Sequence, residues 1–199
     1  MPETFQRAGS TAHSPVSAAP GLEPLAALWR EGLSIVNLRG DPSDPAFRAS
    51  VREALGVGLP ETAGGIAEGP GLRIVEAGPD DWFVIGAPGE AAASMVALRQ
   101  DLGSLHTAVT DVSSGYTVLR LSGTPARDVL AQGCPLDLHP RAFGTGRCAG
   151  SHFFKASVWL WRAPDADAFE LLVRRSFAGY VGLMLERTTQ ECGLVVGSA

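Results

Sequence analysis

The stretch VLRLSGTPARDVLAQGCPLDLHP, residues 118–140, sets a strand, a tight turn, a helix and a stop in succession. Residues 118–121 are an apolar run interrupted only by Arg120, the pattern of a strand with at least one buried face. Gly123 breaks the run. Thr124 offers a hydroxyl to cap a helix, and Pro125 suits its first position, where the missing N–H has no intrahelical partner anyway. Ala126, Val129 and Leu130 then share one helical face. Gly133 is the natural stop, and Pro135 prevents the helix resuming. This unit is a scaffold. No residue in it has an obvious nucleophile–base arrangement, which favours a structural or partner-binding chain.

On its C-terminal side a loop covers 140–150, strands are expected at 152–155 and 158–162, and a turn at 163–167 leads to a strand at 169–173. Ser176 is placed to cap a last helix in which Phe177, Tyr180, Val181, Met184, Leu185 and Thr188 recur at helical spacing. On the N-terminal side, strands are read at 107–112, 82–86, 72–76 and 33–38. Helices fall at 91–102 and 44–55; Asp44-Pro45 opens the second and Gly56 ends it. Residues 58–71 read as a flexible glycine-rich connector, and 23–30 as a short helix. Residues 1–21, rich in Ala, Ser, Pro and Thr, read as a flexible tail, with an arm that orders on a partner as the sharper alternative. Residues 22–199 then form one domain with two halves, 33–112 and 116–190, each approximating β-α-β-β-α-β, the split βαβ plan. The class is α+β, and an internal duplication is a hypothesis without a clean sequence repeat.

A length of 199 residues with 45% hydrophobic content is enough for one large domain or two small ones with a shared core. A formal net charge of −5 argues against nucleic acid, which needs a clustered basic surface. Three cysteines, Cys134, Cys148 and Cys192, suit reduced thiols in a cytoplasmic protein rather than a disulfide framework. No window approaches the roughly 18 apolar residues of a membrane span, and the N-terminus lacks a signal-peptide core.

Several groups invite a chemical reading. Cys134, His139, Cys148 and His152 are spaced C-x4-H-x8-C-x3-H, and zinc takes thiolate and imidazole. Structural zinc sites use tight C-x2–4-C knuckles, however, so buried thiols and loop histidines are the preferred reading. Cys134 with His139 resembles a nucleophile and its base, but Cys134 follows a helix C-terminus, where the dipole disfavours thiolate. Neither GxxxxGK[ST] nor GxGxxG occurs among the glycine loops. Asp80 and Asp81 are turn residues. Asp111, before Ser113 and Ser114, reads as a turn acceptor in preference to a general base. Arg141, Arg147, Lys155, Arg174 and Arg175 offer positive charge to an anionic partner surface, with solvated charge as the plainer account. Trp159 and Trp161 alternate on one strand and point to the same face, where they fill a core or an interface.

The stretches GPDDWFVIG (78–86), TDVSSGYTVLRLSGTPARDVLAQGCPLDLHPRAFGTGRCAG (110–150) and VWLWRAPDADAFELLVRRSFAGYVGLMLE (158–186) resemble the gamma-subunit family of heterotetrameric sarcosine oxidase. CPLDLHPRAF followed by GRCA is the most specific part; the strand–turn–helix unit alone is similar to the wider glycine-cleavage T-protein superfamily. The resemblance implies two ferredoxin-like modules packed together, as in the folate-binding domain of the T-protein. It implies membership of an αβγδ complex that oxidises sarcosine to glycine with oxygen. That complex yields hydrogen peroxide and passes a one-carbon unit to tetrahydrofolate. It further implies FAD, covalent FMN and NAD on alpha and beta, zinc on delta, folate handling on alpha, and no cofactor on this chain. Its role is then structural, braced against alpha. The surface assigned to that contact is the loop with Cys134, Pro135, Leu136, His139, Arg141 and Arg147, together with Trp159 and Trp161. The alternative of another class is a stand-alone folate-binding aminomethyltransferase-like protein with Asp111 holding the pterin, and a zinc-binding adaptor is the third reading.

Overall fold

In the computed structural model, which describes residues 24–164 and 168–198, the central strands are apolar on both faces. In β5 (Asp81–Gly86), Trp82 and Val84 enter one core and Phe83 and Ile85 another. In β7 (Tyr116–Ser122), Tyr116 and Val118 face one way and Leu119 and Leu121 the other. Successive strand side chains point to opposite faces, so a doubly apolar strand must be covered twice. The result is four layers: two helices, a sheet, a second sheet and two more helices.

The first sheet has the order β3-β4-β5-β2-β6, with β2 Ser34–Arg39, β3 Ile66–Gly69, β4 Leu72–Gly78 and β6 Ala108–Asp111. Helices α1 (Pro45–Leu55) and α2 (Glu90–Leu102) cover its outer face through Phe47, Val51, Leu55, Leu98 and Leu102. The second sheet has the order β11-β1-β7-β10-β9-β8, with β1 Leu25–Arg30, β8 Cys148–Phe153, β9 Ala156–Arg162, β10 Ala168–Arg174 and β11 Leu194–Ser198. Helices α3 (Ala126–Ala131) and α4 (Ala178–Thr188) cover it through Ala126, Val129, Leu130, Val181, Met184 and Leu185.

The two halves repeat one plan. The series β2-α1-β3-β4-β5-α2-β6 and β7-α3-β8-β9-β10-α4-β11 place their strands in the same order, except that β1 is inserted between β7 and β11. It pairs antiparallel with β7 and parallel with β11. The duplication expected from the sequence is therefore a duplication of topology, with a strand from before the first half completing the second. The halves also meet edge to edge. Cys148 N–H donates to Gly64 C=O (2.7 Å) and Ile66 N–H to Gly146 C=O (3.0 Å). Gly64 has φ 67°, and a Cβ there would lie 2.8 Å from the Cys148 carbonyl oxygen, so the approach needs glycine.

Several expectations require correction. Residues 25–30 form a strand, not a helix. LAALWR has helix formers, but β7 and β11 pair with it on its two sides, and alternate burial of Leu25 and Ala27 fits that strand pairing. The 58–71 connector contains β3, and β11 lies beyond the last expected element. Thr124 and Ser176 do not cap: α3 begins behind Pro125 and α4 behind Phe177, neither with a side-chain cap bond. Asp44 does cap α1, its Oδ1 accepting from Ala46 N–H at 2.8 Å, and Gly56 ends that helix in the left-handed region. The expected tail, residues 1–21, lies outside the described residues, as do 165–167 of the turn after β9.

Leu25 is fully buried in β1. Leu25→Ala is expected to destabilise the chain by roughly 3 kcal/mol, as for other core leucines. Urea unfolding followed by tryptophan fluorescence reads this, and a cost near zero would remove β1 from the second sheet.

Candidate functional site

Three lone charges stand in apolar strands: Arg73 in LRIV, Arg120 in VLRL and Glu170 in AFELLV. The fold brings them together between the sheets. Glu170 lies opposite Arg120 on β7 and opposite Trp161 on β9, in one row across the second sheet. Its carboxylate is 2% exposed. Trp161 Nε1–H donates to Glu170 Oε2 at 2.8 Å. Arg73, from the facing sheet, pairs with the same oxygen. Arg30 on β1 and Arg120 reach Oε1 at 3.4 and 3.7 Å. Arg73 also approaches Glu68 at 3.5 Å, and its guanidinium carbon sits 5.8 Å from the Trp161 ring centroid. A buried carboxylate needs such partners, because removing one partner of a buried pair leaves an uncompensated charge.

A cavity of about 300 Å³ opens beside this cluster. Arg30, Arg73, Glu68 and Glu170 give it polar walls; Leu33, Leu72, Ile85 and Val118 give it apolar ones. It lies at the lower end of the volume range of small-molecule sites and holds about ten waters at liquid density.

The residues singled out from the sequence lie elsewhere or play other parts. Trp161 is 1% exposed and belongs to the inter-sheet core, so it offers no outer surface. Trp159, half-buried, donates from Nε1 to Ala77 C=O (3.4 Å) and stacks edge-on against Phe83. Of the two readings for this pair, core filling is the one the structure adopts. Cys134 is buried with Sγ 3.6 Å from Ser151 Oγ, and Leu136 is half-buried against the outer core. Pro135, His139, Arg141 and Arg147 are exposed on the loop. Asp111 is exposed on β6, away from the cavity lining, and accepts from Ser113 N–H (2.9 Å) and Oγ–H (2.6 Å). These bonds hold its carboxyl below the usual carboxylate range, as befits a turn acceptor.

Cys134, His139, Cys148 and His152 do not converge. Among the described residues no group of three or more His, Cys, Asp or Glu is arranged to hold a metal ion. His139 Nδ1 accepts from Arg141 N–H at 3.3 Å, and Cys148 Sγ–H donates to Glu76 C=O at 3.0 Å. Burial, with the nearby Glu76 carboxylate, pushes the Cys148 thiol up to about 12. That is the reverse of what a metal-binding or nucleophilic thiolate requires.

The geometry defines a class first: an α+β chain of two ferredoxin-like modules, with mutually paired charges and a small cavity between its sheets. The family model "Sarcosine oxidase, gamma subunit family" matches residues 39–191. A sarcosine oxidase subunit gamma from Corynebacterium sp. (strain P-1) is 38% identical over 144 residues, 71% of this chain and 68% of that protein. One from Arthrobacter sp is 36% identical over 137 residues, 68% of this chain and 66% of that protein. A chain of heterotetrameric sarcosine oxidase from Corynebacterium sp. U-96, in complex with pyrrole 2-carboxylate, matches with a TM-score of 0.79 and 28% identity, covering 89% of each chain. Glycine cleavage system aminomethyltransferase T from Bartonella henselae matches with a TM-score of 0.60 and 13% identity, covering 88% of this chain and 48% of that one; this likeness is one of fold alone. The chain belongs to the sarcosine oxidase gamma subunit family, whose members are subunits of an oxidoreductase complex. These findings do not favour the stand-alone aminomethyltransferase.

Two predictions follow from the paired charges and the buried thiol. Glu170→Ala strands the arginines between the sheets and is expected to cost about 3–5 kcal/mol. Arg39→Ala, which breaks an exposed 2.8 Å pair with Asp80, is expected to cost under about 1 kcal/mol. Parallel denaturant titrations compare them, and equal costs would deny the cluster its structural role. For Cys148, the folded state holds the thiol proton more tightly than the ordinary value of 9.0 allows. The stability it contributes is complete below pH 9 and is lost as pH rises from about 9 towards 12. Stability measured across that window should fall less steeply in Cys148→Ala.

Proposed function

We propose that this chain is the structural gamma subunit of a heterotetrameric sarcosine oxidase and performs none of the chemistry itself. The single observation that carries the reading is the state of the inter-sheet charges: the Glu170 carboxylate is committed to arginines and an indole N–H. It is not poised as a base, nucleophile or metal ligand. The complex oxidises sarcosine to glycine with oxygen, yields hydrogen peroxide and delivers a one-carbon unit to tetrahydrofolate. FAD, covalent FMN and NAD sit on alpha and beta, zinc on delta, and folate on alpha. This chain carries no cofactor and works in the cytoplasm, a setting in keeping with three free cysteines.

The residues here fit folate poorly. Pterin recognition calls for a carboxylate with open acceptor sites. Asp111 lies outside the cavity, Glu170 is already occupied, and the cavity is at the small end for a ligand of that size.

The contact surface is the loop after α3, and its partner is alpha. Pro135, His139, Arg141 and Arg147 present the outer face of this loop. Cys134, Leu138 and Phe143 anchor it to the core, so it meets a partner already ordered. Trp161 supports the fold from within and is not part of the contact.

Co-expression with alpha, beta and delta, followed by size exclusion with flavin absorbance, tests this. The expected result is one yellow high-mass peak containing the chain, with amine oxidase activity lost when it is omitted. Arg141→Glu with Arg147→Glu is expected to weaken co-elution. Assembly indifferent to the double reversal would move the contact off the loop, and a colourless species indifferent to all three partners would overturn the subunit reading.

A further inference from the structure

We infer that the inter-sheet cavity is a binding site for a small organic carboxylate. This inference is independent of the chain's place in the complex. It begins with donors. A guanidinium carries five N–H groups in a planar fork that matches a carboxylate. Among the described residues, Arg30 directs one of these at Glu170, and Arg73 directs one at Glu170 and one at Glu68. Both residues line the cavity, where a ligand carboxylate would take their remaining N–H groups.

Glu170 holds the two forks in place from below. It is itself saturated by the Trp161 indole N–H and the arginines, and so receives no ligand cation. The arrangement is preorganised: the guanidinium groups are fixed before the ligand arrives. They also sit in a recess between two sheets, where charge-assisted hydrogen bonds are stronger than in open water.

The other walls set the kind of anion. Leu33, Leu72, Ile85 and Val118 line the same space. They suit a short hydrocarbon body attached to the anionic head, which an inorganic oxyanion lacks. The volume of about 300 Å³ matches a molecule of a few carbons better than a dinucleotide or a flavin. Glu68, half exposed at the rim, competes for Arg73 at 3.5 Å and opposes the incoming charge.

The test uses the full-length chain labelled with 15N, at constant ionic strength. The Trp161 indole N–H, assigned with Trp161→Phe, reports on the site because it bonds the same carboxylate as the arginines. Acetate and isobutyrate are titrated against acetamide and sulfate. Saturable shifts of this resonance are expected with both carboxylates, tighter with isobutyrate, and none with acetamide. Arg73 is close to indispensable for pairing Glu170, so Arg30→Gln, altering a side chain 39% exposed, is the working variant. It should fold, as a thermal melt checks, and weaken binding about tenfold, the effect of losing one charge-assisted bond. Glu68→Gln should tighten binding by removing the competitor. A linear drift without saturation, an equal response to acetamide, tighter binding of sulfate than of isobutyrate, or affinity unmoved by Arg30→Gln would each overturn the inference.

Discussion

The carboxylate of Glu170 joins more of this fold than any other polar group described. It sits on β10, accepts from Trp161 on β9, faces Arg120 on β7, is reached by Arg30 on β1 and pairs with Arg73 on β4 of the facing sheet. Four of these strands belong to one sheet and the fifth to the other. Apolar burial between sheets is non-directional. A buried carboxylate is not: its partners must arrive at set positions, or the charge is left unpaired. Replacing such a network with well-packed apolar residues can be neutral in stability, whereas removing one partner alone is strongly destabilising.

The same group explains the role of β1. That strand interrupts the repeated plan of the two halves by entering between β7 and β11. It carries Leu25 and Ala27 to the outer core and Arg30 to the inner layer. One six-residue segment thus completes the second sheet and supplies a partner for Glu170. Gly64 and Cys148 join the halves again at the opposite edge of the second sheet. The two modules are therefore fastened at both sides and in the middle.

Much of this was legible in the sequence where local chemistry decides the outcome. Asp44-Pro45 and Gly56 delimit α1 as capping requires, and the turn at Gly78-Pro79-Asp80-Asp81 joins β4 and β5. The face of α4 built from Val181, Met184 and Leu185 is the one that is buried. Errors came where partners remote in sequence decide. LAALWR is a strand only because β7 and β11 flank it. LVVGS at 194–198 is a strand only because β1 is beside it. The Glu170 cluster left a signal in its three lone charges, each in the middle of an apolar run. Arg120 was visible as an interruption, but its partner Glu170 lies 50 residues away, and Arg73 is 97 residues from Glu170. Nothing local says that they meet. The tryptophans misled for a related reason: alternation shows that Trp159 and Trp161 share a face, but not that the chain's own first sheet covers it.

The structural role proposed for this chain would need two properties that oppose each other in a chain of this size. It must be rigid enough to present a surface without ordering it on contact, and it must leave that surface free. Four layers with a fastened centre meet the first need, because the inner faces of both sheets are satisfied within the chain. The loop after α3 meets the second. Leu138 and Phe143 are sunk in the outer core, and Cys134 N–H and Phe143 N–H bond the carbonyls of Leu130 and His139. The exposed His139, Arg141 and Arg147 are thereby carried on backbone that has already given up its freedom. Helix α3, capped at Gln132 and followed by Gly133 and Pro135, delivers the loop in that state. A Cβ at Gly133 would lie 2.5 Å from the Phe154 ring, so this close packing against the start of the loop needs glycine there. The restriction that shapes the scaffold is the same one that prepares its outer surface.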